Sequence, residues 1–216
     1  MGGGSRAAVR LNRRIRSIFE WYEDEVRSLE RRDTLAVPES PILFYGSSSV
    51  RLWESLERDF PGLPVVNSGF GGSTLAACVY YFDRLVLPLR PRSLVVYAGD
   101  NDLGDGQMPD AVLASLETLQ EKVKAQLGET PLAFLSVKPS PARTAIQGRI
   151  TTVNDGARQI LAGRPQSFFV DVFTPMLDNQ GRPRAALYAD DGLHLTEGGY
   201  ALWAQMVHCY LPRLIG

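Results

Sequence analysis

The sequence holds few of the residues that build disulfide frameworks and metal sites. Its 216 residues include two cysteines, Cys78 and Cys209, and two histidines, His194 and His208. Two cysteines exclude a disulfide framework and a cysteine-built zinc site. If the chemistry of this protein needs a histidine as general base, only two residues can supply it.

Strong net charge and long apolar runs are also lacking. The chain has 23 lysines and arginines against 24 aspartates and glutamates, which gives a formal net charge of −1. It therefore has no overall basic field, and nucleic-acid binding is not indicated. No apolar run reaches the ~18 residues of a membrane span, and no signal-peptide core follows the N-terminal arginines. We expect no nucleic-acid partner, no transmembrane segment and, by default, a cytoplasmic location.

The first segment of the chain carries one apolar stripe at helical spacing. The stripe consists of Leu11, Ile15, Ile18, Tyr22, Val26 and Leu29. Spacings of three and four predict an amphipathic helix over residues 6–32 that packs on the rest of the protein. A homo-oligomer contact and a membrane-surface helix are the alternatives, although the acidic residues at 20–25 oppose binding to anionic lipid. We assign residues 1–37 to this helix and a linker, and residues 38–216 to a single domain.

The rest of the chain alternates short apolar runs with longer stretches of helical spacing. The predicted strands are 41–45, 64–66, 93–97, 131–137 and 168–172. The predicted helices are 50–59, 74–87, 109–127, 143–162 and 197–212. Strands that alternate with helices of this length predict an α/β fold, a three-layer αβα sandwich around five parallel strands. In such a sheet ligands bind at the carboxyl ends of the strands, so the residues after each run are the candidates for a site.

Two of these strand ends carry serine and glycine. Gly46-Ser47-Ser48-Ser49 follows the first run, where a serine at a helix start lies among free backbone N–H groups. Serine is equally a preferred helix cap, so this signal is ambiguous alone. The second run leads into residues 67–74, with three glycines in four residues. That stretch approximates the dinucleotide-binding pattern but does not complete it, and a tight turn explains it as well.

The later strand ends carry polar residues. Asp100, Asn101 and Asp102 follow the third run. The Asn101 amide has N–H donors that suit an oxyanion. The alternatives are Asx turns and a metal site made by the carboxylates, and of these we do not expect the metal site. Lys138, after the fourth run, is expected to be solvated, with a contact to substrate as the alternative. Asp191 precedes His194 by three residues in a turn, so the carboxylate can fix the tautomer of the imidazole.

The remaining histidine, His208, lies in the last predicted helix, beside Val207 and Tyr210, and is assigned to packing or the surface. The candidate residues together comprise a nucleophile, a base with its orienting carboxylate, and donors for an oxyanion. These are the parts that acyl transfer requires.

In this order, the blocks resemble those of the SGNH/GDSL hydrolases, from about Ile42 to Tyr210. Gly46-Ser47-Ser48 is similar to the family's Gly-Asp-Ser block, with Ser47 where the motif has Asp. The stretch from Asn67 to Gly72 matches the second block. Gly99, Asn101 and Asp102 match the third block, and Asp191 with His194 matches the last.

The resemblance implies a flavodoxin-like strand order 2-1-3-4-5 and a catalytic triad of Ser48, His194 and Asp191. It also implies an oxyanion hole made by the backbone N–H groups of Ser48 and Gly72 and the side chain of Asn101. Because of the Ser47 departure, Ser47 or Ser49 stays an alternative nucleophile.

The function implied is a serine hydrolase that cleaves carboxylic esters of short acyl or acetyl groups through an acyl-enzyme, without a cofactor. We expect Phe70 and Leu193, together with Tyr45, to line the substrate site. Carbohydrate O-deacetylase, thioesterase and lysophospholipase activities of the same family are the alternatives. From other classes, a flavodoxin-like nucleotide-binding module and an inactive interaction protein also stay open.

Overall fold

A single parallel sheet organises the protein, which we describe from a computed structural model over residues 18–32 and 37–216. The strands are β1 (Ile42–Gly46), β2 (Val65–Gly69), β3 (Ser93–Tyr97), β4 (Leu132–Leu135) and β5 (Ser167–Val170). Their order is β2-β1-β3-β4-β5, and each neighbouring pair is parallel. The predicted αβα architecture and strand order are confirmed.

Helices cover both faces of the sheet. They are α1 (Glu23–Glu30), α2 (Ser48–Arg51), α3 (Leu56–Asp59), α4 (Leu75–Leu85), α5 (Asp100–Gly104), α6 (Pro109–Leu127), α7 (Gln147–Ala162), α8 (Glu197–His208) and α9 (Leu211–Leu214). Single turns of 3-10 helix occur at Glu20–Tyr22, Leu87–Leu89, Thr174–Met176 and Ala185–Leu187, and a longer one at Pro141–Ile146.

The side chains of β1 divide the core into two clusters. Leu43 and Tyr45 join the cluster that α1, α4, α6 and α7 cover. Ile42 and Phe44 join the opposite cluster, which α2, α3 and α8 cover. Successive residues of a strand point to opposite faces, so a strand buried on both sides must be apolar throughout. This is why β4, and β1 up to its terminal Gly46, are unbroken apolar runs.

The helix predicted over 50–59 is wrong as one element, since it forms the two short helices α2 and α3. Trp53 lies in the turn between them, is 1% exposed, and joins the core of that face. Its Nε1 donates to Asp59 Oδ2 at 2.7 Å, and its ring stands edge-on to Phe44 at 5.4 Å between centroids. Burial of this large side chain outweighs continuation of the helix.

The described part of the N-terminal segment packs on the domain. Val26 of α1 is fully buried, and Arg84 of α4 pairs with Glu23 at 2.9 Å and with Glu30 at 2.7 Å. Residues 6–17 of the helix predicted over 6–32 lie outside the described residues. The predicted contact with the domain is thus present over α1, and a homo-oligomer through this helix stays a prediction.

Candidate active site

Three side chains meet in a chain of hydrogen bonds at the carboxyl edge of the sheet. His194 Nε2 lies 3.1 Å from Ser48 Oγ, and His194 Nδ1 lies 2.5 Å from Asp191 Oδ2. An ionised carboxylate only accepts hydrogen bonds, so Nδ1 carries the proton and Nε2 is left to accept the Ser48 hydroxyl. A histidine held in this way can take a proton from the serine.

The Asp191 carboxylate is itself fixed by the backbone. Its Oδ1 accepts the N–H groups of Leu193 and His194, each at 2.9 Å. The bond from the Leu193 N–H has the largest effect on the pKa of Asp191, followed by the bond from the His194 N–H and the bond to the His194 ring. Together they lower this pKa to about 2. The carboxylate therefore stays ionised at any ordinary assay pH, and it keeps the ring oriented.

Ser48 is the serine whose hydroxyl meets His194. It is the first residue of α2, after Ser47 in extended conformation. Ser47 and Ser49 are buried at 0% and 1% exposure, and among the described residues the Ser47 hydroxyl has no hydrogen-bond partner. Of the three consecutive serines, Ser48 is therefore the one whose hydroxyl contacts His194.

The turn before Ser48 depends on a glycine. Gly46 has a φ of +141°, and a Cβ at this position would lie 1.9 Å from the carbonyl oxygen of Tyr97. Only glycine allows β1 to end this close to β3. The same approach brings the start of α2 beside the end of β3, where Asn101 follows.

The glycine-rich turn after β2 lies against α2. A Cβ on Gly69 would lie 2.3 Å from the Arg51 nitrogen, and the Asn67 side-chain amide donates to the Val50 carbonyl at 2.6 Å. Gly72, with a φ of +66°, completes the turn. Within the described residues its N–H group has no hydrogen-bond acceptor, as a donor reserved for a ligand would require.

Asn101 connects the third strand end to this turn. Its Nδ2 donates to the Ser73 carbonyl at 3.1 Å. A primary amide has two N–H donors, so one remains after this bond. Ser48, Gly72 and Asn101 thus come from three adjacent strand ends, and each has an N–H group at this edge of the sheet.

The two aspartates beside Asn101 are both committed to protein contacts. Asp102 accepts the Leu75 N–H with both oxygens, at 2.9 and 3.0 Å, and burial raises its pKa to about 6. Asp100 pairs with Lys138 at 2.8 Å. Burial alone would raise the pKa of Asp100, but the Lys138 ammonium brings it below the usual value.

The prediction that Lys138 is solvated is wrong. The lysine is 0% exposed, and its Nζ lies 2.8 Å from Asp100 Oδ2 and 3.2 Å from the Tyr97 hydroxyl. A buried ammonium needs a paired carboxylate, and Asp100 supplies it. The buried pair also contacts the backbone of the site, because Asp100 Oδ1 accepts the Asn101 N–H at 3.1 Å.

The prediction that Phe70 lines the substrate site is also wrong. Phe70 is 0% exposed, and its ring stands edge-on to the rings of Tyr22 at 5.5 Å and Tyr81 at 5.8 Å. Tyr45 is equally buried, with its hydroxyl bonded to the Cys78 carbonyl at 2.7 Å. Leu193 is half-buried beside His194 and stays a candidate.

Two features near the site had no signal in the sequence. Trp21 is 80% exposed, and a Cβ on Gly72 would lie 3.8 Å from its Nε1, so the indole flanks the glycine turn. The segment after β4 supports the histidine loop: the Ala142 N–H donates to the Gly192 carbonyl at 3.0 Å, and the Tyr188 hydroxyl donates to the Pro139 carbonyl. Both depend on contacts between distant parts of the chain.

Other kinds of site find little support in the part of the chain that the structure describes. His208 stacks on Phe60 at 4.8 Å and bonds to the Asp59 carbonyl at 2.8 Å, which is a packing role. Over residues 18–32 and 37–216, the acidic, histidine and cysteine side chains form no group of three able to hold a metal ion. No helix in those ranges has the length and apolar character needed to cross a membrane.

A serine–histidine–aspartate chain on a parallel αβα sheet is the arrangement of a serine hydrolase. The family model of the GDSL-like lipases and acylhydrolases matches residues 9–202. The protein belongs to this family. Its members' shared chemistry is acyl hydrolysis, in keeping with the geometry of the site.

Solved structures show the same fold at low identity. A Streptococcus pneumoniae protein provisionally described as a platelet activating factor is 24% identical, with a TM-score of 0.78 over 97% of this chain and 100% of that one. A GDSL-like lipase from Bacteroides thetaiotaomicron is 22% identical, with a TM-score of 0.69 over 90% and 97%. A catalytic mutant of an acetylxylan esterase from Geobacillus stearothermophilus is 15% identical, with a TM-score of 0.64 over 82% and 95%. Comparison with curated protein sequences gives no match.

Proposed function

We propose that this protein is a serine hydrolase that cleaves carboxylic esters of short acyl or acetyl groups through an acyl-enzyme. The hydrogen-bonded chain from Ser48 through His194 to Asp191 carries the proposal. A nucleophile within reach of a base, and a base oriented by a carboxylate, are what this reaction needs.

In the proposed mechanism His194 Nε2 takes the hydroxyl proton as Ser48 Oγ attacks the ester carbonyl. The carbonyl oxygen becomes an oxyanion, which receives hydrogen bonds from the N–H groups of Ser48 and Gly72 and from the Asn101 amide. When the intermediate collapses, the protonated His194 gives its proton to the leaving alcohol. Water, activated by the same nitrogen, then hydrolyses the acyl-enzyme.

The short connections at the edge of the site support our proposal of a small acyl group. β1 and β3 each lead within a few residues into a short helix, α2 or α5, and the turn after β2 leads directly into α4. Connections of this length contribute few residues that could enclose the Ser48 side chain. Leu193, half-buried next to His194, is our candidate for an apolar contact with substrate. Deacetylation of a carbohydrate, thioester cleavage and lysophospholipid hydrolysis use the same machinery and are the alternatives to be separated.

The test is hydrolysis of p-nitrophenyl acetate, butyrate and octanoate by the wild type and by Ser48→Ala. We expect activity that falls with chain length and disappears in the variant. Ser49→Ala is the matched control, because it removes a neighbouring hydroxyl that does not contact His194. Activity that survives in Ser48→Ala, or that Ser49→Ala alone abolishes, would overturn the assignment of the nucleophile. A wild type inactive on all three esters and on acetylated sugars would overturn the proposed function.

A further inference from the structure

The N-terminal helix α1 contacts the turn that carries Gly72. Glu25 Oε2 accepts the Gly71 N–H at 2.7 Å. Its other oxygen lies 3.3 Å from Nε of Arg51, at the end of the short helix that begins with Ser48. One carboxylate therefore joins the glycine turn to the helix of the proposed nucleophile. Gly71 makes room for it, because a Cβ there would lie 3.2 Å from both Glu25 Oε2 and Arg51 Nε.

A second side chain from the same segment holds the other side of the turn. The Tyr22 hydroxyl donates to the Gly72 carbonyl at 3.1 Å. Tyr22 is 8% exposed, and its ring packs edge-on against Phe70, so the position of the hydroxyl is well defined. Glu25 and Tyr22 thus form hydrogen bonds with two different peptide groups of the same turn.

The peptide group between those two contains the Gly72 N–H. Glu25 binds the peptide before it, and Tyr22 binds the peptide after it. The bond that closes the turn, from the Ser73 N–H to the Phe70 carbonyl, is long at 3.4 Å. Two adjacent glycines have wide conformational freedom, so this one weak bond does not hold the direction of the Gly72 N–H group firmly. A donor to an oxyanion is effective only if it is already aimed at the place where charge develops.

We propose that Glu25 and Tyr22 are positioning residues that aim the Gly72 N–H at the oxyanion. The inference rests on the proposed ester hydrolysis and extends it to a segment outside the motif blocks. The N-terminal helix is then a working part of the active site, and the hydrolase unit begins before residue 38.

Simple attachment of α1 to the domain is the competing explanation, and the structure offers a control for it. Glu30, on the same helix, binds Arg84 of α4 with both oxygens at 2.7 Å, far along the helix from the glycine turn. Removing Glu30 weakens attachment and leaves the turn contacts in place. Removing Glu25 breaks the contact with the turn, and the contacts of α1 with Arg84 remain.

The experiment compares Glu25→Ala, Glu25→Gln, Tyr22→Phe and the control Glu30→Ala by steady-state kinetics on p-nitrophenyl acetate, with melting curves for each. A loosened oxyanion donor acts on the transition state, so kcat should fall while KM stays nearly constant. We expect a fall of about tenfold for Glu25→Ala, below the ~10²-fold that follows a 1 Å misplacement. Glu25→Gln, whose amide oxygen still accepts the Gly71 N–H, should recover part of the rate, and Tyr22→Phe should lose severalfold.

The control decides between positioning and attachment. Glu30→Ala should keep the wild-type kcat even where its melting temperature falls. Equal losses of kcat in Glu25→Ala and Glu30→Ala, or a wild-type kcat in Glu25→Ala, would overturn the positioning role and leave the hydrolase assignment intact. A wild type without any esterase activity would instead overturn the proposed function, and the positioning role would fall with it.

Discussion

The buried pair of Lys138 and Asp100 gives the sharpest prediction about stability. In Lys138→Met the carboxylate keeps its 3% exposure but loses the ammonium 2.8 Å away. Breaking a buried pair by removing one partner costs about 3–5 kcal/mol, because the remaining charge is uncompensated. For a chain of this size each kcal/mol shifts the melting temperature by ~2–4 °C. We therefore expect a fall of roughly 6–20 °C at neutral pH.

The loss should depend on pH with a defined sign. In the wild type the pKa of Asp100 lies below its usual 3.8, so the stability from this group is present above that value and is lost on further acidification. In the variant the lowering effect of the ammonium is gone while burial still raises the pKa, so the carboxyl takes up a proton at a higher pH than in the wild type. The difference in melting temperature between wild type and variant should shrink as the pH falls from 8 towards about 4.

The double variant Lys138→Met with Asp100→Leu is the control. Replacing both members of a buried pair by apolar residues is often neutral or stabilising, so this variant should regain most of the lost melting temperature. Urea unfolding at pH 5 and pH 8 measures the same differences as free energies. A single variant that loses less than about 1 kcal/mol, or a double variant as unstable as the single one, would refute the reasoning.

Three further predictions concern the site. Asn101→Ala should lower kcat by ~10²–10³ with little change in KM, as loss of one oxyanion donor does; an unchanged kcat would remove Asn101 from that role. Asp191→Asn should lower kcat by up to ~10⁴ at pH 8, because the amide no longer fixes the imidazole tautomer as the ionised carboxylate does; a kcat near that of the wild type would contradict this. Gly46→Ala should destabilise the fold severely, because its Cβ would lie 1.9 Å from the Tyr97 carbonyl oxygen; a melting temperature near that of the wild type would show that β1 can shift.

Local patterns predicted the parts of the fold and site that depend on neighbouring residues. The apolar runs gave the strands because both faces of the sheet are covered. The spacing of Asp191 and His194 gave their contact, since a turn brings residues three apart together. The family blocks supplied the pairing of distant strand ends, which no local pattern contains.

Long-range contacts account for the errors. The residues next to Lys138 in the sequence do not distinguish it from a surface lysine. Its burial is stabilised by the carboxylate of Asp100, which lies 38 residues away in the chain. Phe70 sits in the glycine turn, where the sequence does not say whether a side chain faces the core or the ligand. Trp53 divides a helix because the core beside Phe44 has room for an indole. In each case the environment that decides the outcome comes from another part of the chain.

The contact between Ser48 and His194 joins residues 146 positions apart. Until the loop of the histidine docks against the first strand, the serine is an ordinary alcohol of low reactivity. Recovery of hydrolysis after dilution from denaturant should therefore lag behind recovery of helical circular dichroism, which local segments produce early. The proposed esterase activity would therefore report when the last long-range contact of the fold has formed.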